Sequence, residues 1–385
     1  MSLLALAQVV ALIVVCARLA RGRRRVPPVE PREDGAEAGL SGTSVSVIVP
    51  ARNEARRIGP CLGGLRAQGA PLDEVIVVDG GSTDGTPTLV DEAASHDPRI
   101  RRLDEPPRPA GVVGRPWAIA AGCAIARGEW VLILDADTSP RRGMVGGAVA
   151  AARRLGLDVV SFAPRIVAPG AGARWLQPAL LATLVYRFGP PSADTPDPQR
   201  AMANGQCLLI RRDVLERAGG YVIAARSYCD DVRVVRQLAV SGARVGFLDG
   251  PRLFDVEMYP TGRETWRAWP RSLNMRDASS ARWRWLDALL LILAQALPVP
   301  VLLALALGVR TGWRGSVLVL VAVNTALVTV RVLLAAATAH SFARRGLAYW
   351  LSPLADAPAV LRVVETMAYP AREWRGEPRP LATTG

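Results

Sequence analysis

Asp135 and Asp137 stand one residue apart, directly after the apolar run Trp130-Val131-Leu132-Ile133-Leu134. Carboxylates so spaced are hard oxygen ligands suited to Mg2+ or Mn2+, ions that complete their shells with phosphate oxygens. A second acidic pair, Asp230-Asp231, begins a stretch of helical pattern running to about 241. There a carboxylate has two uses: taking a proton from an attacking hydroxyl, or capping the helix. A third carboxylate, Asp79, ends the run Val75-Ile76-Val77-Val78 and precedes a turn rich in Gly, Ser, Thr and Asp (80–86). Each feature alone also serves to close a turn or cap a helix. Together they suggest metal-assisted chemistry on a nucleotide diphosphate compound.

These carboxylates must be held at strand ends. The pattern predicts strands at 44–50, 74–79, 99–104, 130–135 and 158–163. Helices are predicted at about 54–68, 86–96, 115–127 and 143–155. Such alternation implies an α/β fold with a mostly parallel sheet, whose ligands bind beyond the carboxyl ends of the strands. The segment 191–205 reads as a loop, 230–241 as a helix and 243–258 as extended chain. Trp175, Leu180, Leu181 and Leu184 form an apolar stripe suited to a core.

Half of the 385 residues are hydrophobic, more than a wholly soluble enzyme needs, so part of the chain is expected in lipid. Residues 2–20 are almost uninterruptedly apolar and RGRRR (21–25) comes next, the order of a retained anchor rather than a cleaved signal. The Arg cluster would keep the chain beyond residue 25 in the cytoplasm. A second apolar region, 286–308, carries Pro298 and Pro300, and a third runs from 315 to 338. With the connector RTGWRG between them they read as a transmembrane hairpin, in which Arg331 lies near enough the end to snorkel. The amphipathic stretch 347–369 reads as lying on the membrane, with a further crossing as the alternative. The expected organisation is an anchor with its basic flank (1–25), a linker (26–43), a catalytic domain (44–260), an interfacial segment (261–285), the hairpin (286–338) and a cytoplasmic tail (339–385).

The formal net charge is +13, carried by Arg alone because the chain has no Lys. Such a charge suits an anionic partner. The basic residues gather at membrane flanks and no nucleic-acid-binding motif accompanies them, which argues against nucleic acid. Cys16, Cys61, Cys123, Cys207 and Cys229 form no zinc-binding spacing.

Four motifs accompany the Asp pair in order: SVSVIVPARNE (44–54), DEVIVVDGGSTDGT (73–86), GRPWAIAAGCAIARGEW (114–130) and ANGQCLLIRRDVLERAGGY (203–221), with Asp230-Asp231 soon after. With this ordered set the chain resembles the family 2 glycosyltransferases of GT-A (Rossmann-like) fold. The resemblance implies that Pro50, Arg52, Asn53 and Glu54 form a nucleotide-contacting loop, that Asp79 hydrogen-bonds the base, and that Asp135 and Asp137 bind the metal, Asp137 most directly. It implies Asp231 as general base, with Asp230 where Glu is usual. Arg115 stands where Lys is frequent and keeps a cation near the diphosphate. Gly205 falls in the donor-binding motif. Gly80 stands where a second Asp is frequent, which weakens the case for uridine.

The expected activity is therefore inverting transfer of a sugar, with UDP-hexose as leading donor, to a lipid hydroxyl. The layout looks most like the carotenoid (chlorobactene-type) glucosyltransferase branch. Hopanoid, sphingolipid and polyprenyl-phosphate acceptors, a polysaccharide product, and an inactive sugar-nucleotide-binding membrane protein are the alternatives. Expected partners are the donor, Mg2+ or Mn2+, the lipid acceptor and the cell membrane, with the catalytic domain cytoplasmic. Arg263, Trp266, Arg267 and Trp269 are candidates for a segment closing over the donor or for an interfacial belt.

Overall fold

The structure is a computed structural model, and it describes residues 3–33, 40–193, 195, 197–273, 275–308, 315–369, 373–374 and 377–378. The strands that matter are β1 (Val45–Ala51), β2 (Leu72–Asp79), β3 (Ile100–Asp104), β4 (Trp130–Leu134), β5 (Thr138–Pro140), β6 (Val159–Ala163), β7 (Arg165–Val167), β8 (Cys207–Arg211), β9 (Val245–Asp249) and β10 (Phe254–Glu257). The helices are α1 (Leu3–Ala20), α2 (Ile58–Arg66), α3 (Thr86–His96), α4 (Gly114–Ile125), α5 (Met144–Leu155), α6 (Ala171–Phe188), α7 (Arg212–Arg217), α8 (Asp230–Val240), α9 (Gly262–Leu273), α10 (Ala281–Leu291), α11 (Pro298–Gly308), α12 (Gly315–Thr338), α13 (Gly346–Trp350) and α14 (Asp356–Ala368). The chain divides into two compact units.

One unit, Arg25–Ile166 with Pro191–Glu257, holds a seven-stranded sheet of order β3-β2-β1-β4-β8-β6-β9. The chain runs outward from β1 to β3, then returns to place β4 on the other side of β1, which makes the β1/β4 junction a topological switch point. The β1–β2, β2–β3, β1–β4 and β6–β9 pairings are parallel, and β8 alone runs antiparallel to both its neighbours. The mostly parallel sheet is thus as expected. Strand β8 is an addition to the predicted set, because its short run CLLIR carries no usable periodicity. β4 is buried along its whole length, and each of its Leu and Ile side chains contributes about 1.5–3 kcal/mol on burial. Helix α4 lies against β1 and β2 closely enough that a Cβ on Gly122 would meet Ile48 Cγ2 at 2.6 Å.

Residues 26–33, which composition assigns to a linker, are seated on this unit. Val29 N–H donates to the Asp249 carbonyl and Arg32 N–H to that of Gly143, each at 2.8 Å, and Arg25 Nη2 bonds Asp249 Oδ1 at 2.6 Å. The stretch 34–39 lies outside the described residues.

The other unit gathers α1, α6 and α9 to α14. Two of its helical segments, Leu3–Ala20 and Val317–Ser341, are long and apolar enough to cross a membrane. Ala281–Ala296 with Pro298–Gly308 makes a third if that pair, bent by 43°, is one span. The bend comes after a π-helical turn at Ile292–Ala296, next to the two prolines. The connector RTGWRG, apart from Gly315, and most of the tail beyond 370 lie outside the described residues. Arg331 does not snorkel: it is 3% exposed and pairs with Asp356 at 2.8 Å. Its charge is thus met by a carboxylate inside the unit. Helix α6, of which the sequence pattern shows only an apolar stripe, belongs here. Leu180 is fully buried, Leu181 and Leu184 half-buried, and Trp175 Nε1 donates to the Leu351 carbonyl. In α9, Trp269 is core, Arg362 stacks over Trp266 at 5.9 Å, and Arg263 and Arg267 are exposed.

Candidate active site

The candidate residues collect at the switch-point edge of the sheet. Pro50 is near the end of β1, Asp79 ends β2, and Asp135 and Asp137 come after β4. The two loops after β1 and β2 are stitched together. Asn53 N–H donates to Ser82 Oγ at 2.9 Å, Thr83 N–H donates to Asn53 Oδ1 at 2.8 Å, and Glu54 N–H donates to Thr86 Oγ1 at 2.9 Å. Asn53 adopts φ 55°, a left-handed backbone that Asn tolerates better than most residues. Arg52 is exposed beside it.

Asp79 is 7% exposed. Its Oδ2 accepts from Ser82 N–H at 3.2 Å, whereas Oδ1 is buried with no hydrogen-bond partner among the described residues. A buried carboxylate oxygen left so costs energy until an N–H or O–H reaches it. The gap left by Gly80 is not empty of charge: a Cβ there would stand 3.1 Å from Glu105 Oε2. Glu105 comes after β3, and its N–H donates to the Asp79 carbonyl. It adjoins no recognisable motif, so only the pairing of β3 with β2 reveals it.

Arg115, at the start of α4, is the hub of the site. Its Nε and Nη2 donate to Asp135 Oδ1 at 3.0 and 2.7 Å, Nη2 also donates to the Gly205 carbonyl at 2.7 Å, and Nη1 donates to Asp230 Oδ2. Tyr221 OH donates to the same Asp230 oxygen at 2.8 Å. The family resemblance implies Arg115 as a cation for the diphosphate. The structure gives its guanidinium three acceptors within the protein, because a planar fork can serve acceptors in several directions at once. Tyr221, buried in a short 3-10 turn (Tyr221–Ala224), escapes sequence reasoning, since a lone Tyr ending the fourth motif gives no signal of its own.

Asp230 and Asp231 open α8, where the helix dipole favours negative charge. They diverge. Asp230 faces Arg115 and Tyr221, while Asp231 is bonded by the backbone of Gly205 and is only half-buried. Burial, and next the adjoining Asp230 charge, push the Asp231 carboxyl up to about 6. Gly205 is wedged between the groups: a Cβ on it would meet Arg115 Nη2 at 2.9 Å and Asp231 Oδ2 at 3.1 Å. Gly205→Ala is therefore expected to displace both and lower kcat/KM on the order of 10²-fold, with folding retained by far-UV circular dichroism. An unaltered kcat/KM would remove Gly205 from the reaction centre.

Asp137 sits beside Arg57, a residue that no sequence motif singles out. Arg57 Nη2 bonds Glu54 Oε2 at 2.6 Å and Nη1 lies 3.4 Å from Asp137 Oδ2. Among the described residues no group of three or more His, Cys, Asp or Glu forms a closed metal cage. Asp137 and Asp135, separated by one residue and both partly exposed, offer carboxylate oxygens of the kind that Mg2+ or Mn2+ takes together with phosphate oxygens. The residues present fit the ion.

An open α/β sheet with this set of carboxylates at its switch point is GT-A-like. Residues 46–219 match the model of glycosyl transferase family 2. Among curated relatives, "Dolichyl-phosphate beta-glucosyltransferase ALG5C" of Trichomonas vaginalis is 40% identical over 98 residues, 23% of this chain and 28% of that protein. "Succinoglycan biosynthesis protein ExoO" of Rhizobium meliloti is 39% identical over 127 residues, 31% of this chain and 34% of that one. The chain thus spans about a third or less of these relatives' length. The mannosyltransferase PcManGT from Pyrobaculum calidifontis, solved with GDP-Man and Mn2+, shares the fold: its TM-score is 0.54 at 22% identity, covering 95% of this chain and 98% of that one.

Proposed function

We propose that the chain is a membrane-bound, metal-dependent inverting glycosyltransferase that moves a sugar from a nucleotide diphosphate to a lipid acceptor. The observation that carries this reading is the Arg115 hub, which joins the Asp135 carboxylate to Asp230 and, through Gly205, to Asp231. Asp79 Oδ1 accepts an N–H from the nucleobase, and Glu105 supplies the carboxylate that Gly80 lacks. The loop Pro50–Glu54 lines the nucleoside. Asp137, with Asp135, would hold Mg2+ or Mn2+, which when bound neutralises charge developing on the departing diphosphate. Arg115 fixes the orientation of Asp135 and Asp230, and Asp231 takes the proton of the acceptor hydroxyl as it attacks. Displacement in one step inverts the anomeric centre.

The two long apolar segments support a membrane location, with the Arg cluster at 21–25 on the cytoplasmic side. UDP-hexose remains the leading donor. A carotenoid hydroxyl is the acceptor that the sequence resemblance favours. A polyprenyl phosphate is the alternative that the name of the Trichomonas relative supports, its phosphate oxygen then being the nucleophile.

The test is purified protein in lipid vesicles, given UDP-glucose, UDP-galactose, UDP-N-acetylglucosamine or GDP-mannose with a hydroxylated carotenoid or a polyprenyl phosphate. Products are read by mass spectrometry with and without EDTA. The expected result is one glycolipid whose formation stops on chelation and returns with Mn2+ or Mg2+. Transfer that continues in EDTA, or label found only in a long water-soluble polymer, would overturn the proposal.

A further inference from the structure

The helical unit buries several polar side chains among the apolar ones of its core. Between Gly346 and Tyr369, large apolar side chains turned outward include Leu347, Trp350, Leu351, Leu354 and Leu361, with Leu347 75% and Leu361 66% exposed. Ser352, Asp356 and Thr366 in the same stretch are buried. A helix resting on a water-soluble body shows water its polar face and hides the apolar one. Here the inner groups are partnered within the unit. Asp356 Oδ1 accepts from Gln295 Nε2 and from Arg331 Nε, each at 3.0 Å, and Arg331 Nη2 donates to Ser352 Oγ at 3.2 Å. Thr366 Oγ1 donates to the Pro270 carbonyl at 3.0 Å.

The candidate span α12 has the same polarity. Leu318, Val332 and Leu333 are exposed, while Asn324 and Arg331 are buried, Asn324 in reciprocal 2.8 Å hydrogen bonds with Gln8 of α1. The stretch after it is not one long helix. α13 ends at Trp350, a 3-10 turn covers Ser352–Ala355, and α14 starts at Asp356. A break of that kind survives in hydrocarbon only where the freed backbone groups meet protein partners. At this break the Leu351 carbonyl accepts from Trp175 Nε1 at 3.1 Å. Arg344 and Arg345, both exposed, immediately precede the segment, and Arg362 with its partner Glu365 comes after its last outward leucine. Cationic and polar residues at both ends suit the headgroup level. The apolar part between them has fewer than the roughly 20 residues that a span of the hydrocarbon core needs.

We infer that residues 346–361 form a re-entrant segment, which enters the bilayer hydrocarbon and returns to the face it came from, with lipid acyl chains covering Leu347, Trp350, Leu351, Leu354 and Leu361. It is not a helix lying along the surface with a polar side to water. The buried Arg331–Asp356 pair holds the segment to α12. This inference rests on the membrane reading of Leu3–Ala20 and Val317–Ser341.

The experiment attaches a nitroxide to Leu354→Cys, and separately to Leu361→Cys, in the full chain carrying Cys16→Ser and reconstituted in phosphatidylcholine–phosphatidylglycerol vesicles. Collision with oxygen and with a water-soluble nickel chelate gives depth. Leu333→Cys on α12 is the deep reference and Val240→Cys at the end of α8 the aqueous one. The expected result is that labels at 354 and 361 lose nickel broadening as the 333 label does. Labels at 354 and 361 that sit at headgroup depth or in water, while 333 stays deep, overturn the re-entrant segment and leave the membrane reading standing. A 333 label open to nickel overturns the membrane reading itself. Should labelling disturb the fold, quenching by deeply brominated lipid, taken as the difference between the unlabelled chain and Trp350→Phe, decides the same question. A quenched Trp350 component supports the insertion, and an unquenched one overturns it.

Discussion

Asp231→Asn is expected to lower turnover by about 10²- to 10⁴-fold, the usual worth of a general base, while nucleotide affinity stays close to that of the unaltered chain. The amide is nearly isosteric and keeps the backbone contact at Gly205, so the loss would be chemical rather than structural. The same residue sets the pH dependence. Its carboxyl is pushed up to about 6 by its partial withdrawal from water and by the adjoining Asp230, and only the ionised form accepts a proton. Activity is therefore lost as pH falls through about 6 and is retained above it. Asp230→Asn removes the neighbouring negative charge, so the acid limb should move to lower pH even though the rate also falls. Steady-state kcat/KM against pH, with calorimetric titration of the nucleotide, measures all of this. A profile flat through pH 6, or an Asp231→Asn enzyme with ordinary turnover, would sink the assignment.

Arg115→Ala is the second change with a large expected effect, here on stability as well as rate. It leaves Asp135 and Asp230 facing each other without the cation between them, and Asp230 is only 4% exposed. Breaking a buried pair by removing one partner costs about 3–5 kcal/mol, and the 30% exposure of the Arg115 side chain points to the lower end, about 3 kcal/mol. In a unit of this size that is a fall in Tm of roughly 6–12 °C. Arg115→Lys should fall in between: the charge returns, but one ammonium on a flexible stem cannot hold Asp135, Asp230 and the Gly205 carbonyl in a fixed plane. The order Arg, Lys, Ala in both Tm and kcat/KM is the expected outcome. Equal melting temperatures for the three would show that the hub contributes nothing to the fold.

The carboxylates of the site are legible in the sequence because each terminates or adjoins a run of local pattern. Asp79 and Asp135 come after strands that are apolar nearly throughout, and Asp230-Asp231 opens a helix. Parallel strands buried on both faces leave such a record. The residues that stay hidden depend on pairing between distant segments. Glu105 comes to Gly80 only because β3 lies beside β2, and Tyr221 reaches Asp230 only through the turn before α8. Arg57 looks like one more arginine in a chain with many. Position alone makes Arg331 a snorkelling residue, but its partner lies on another helix. The α6 helix has apolar residues nearly all round, so periodicity shows a stripe but not the element.

The reversed direction of β8 has an effect on what this architecture can vary. Parallel strands deliver their ends to the ligand edge, whereas β8 delivers its beginning, so Asn204, Gly205 and Gln206 arrive there before the strand has formed. The Gln206 carbonyl then receives the Asp135 N–H at 3.1 Å, fastening that beginning to the neighbouring strand end. Chain length added upstream, ahead of the 3-10 turn at Pro198–Arg200 that packs on α8, would leave β8 in register. The same insertion between Asp135 and Asp137 would part the two carboxylates. The fold therefore separates a part that tolerates no change of length from a neighbouring part that can grow, and variation in what the site admits has an obvious place to accumulate.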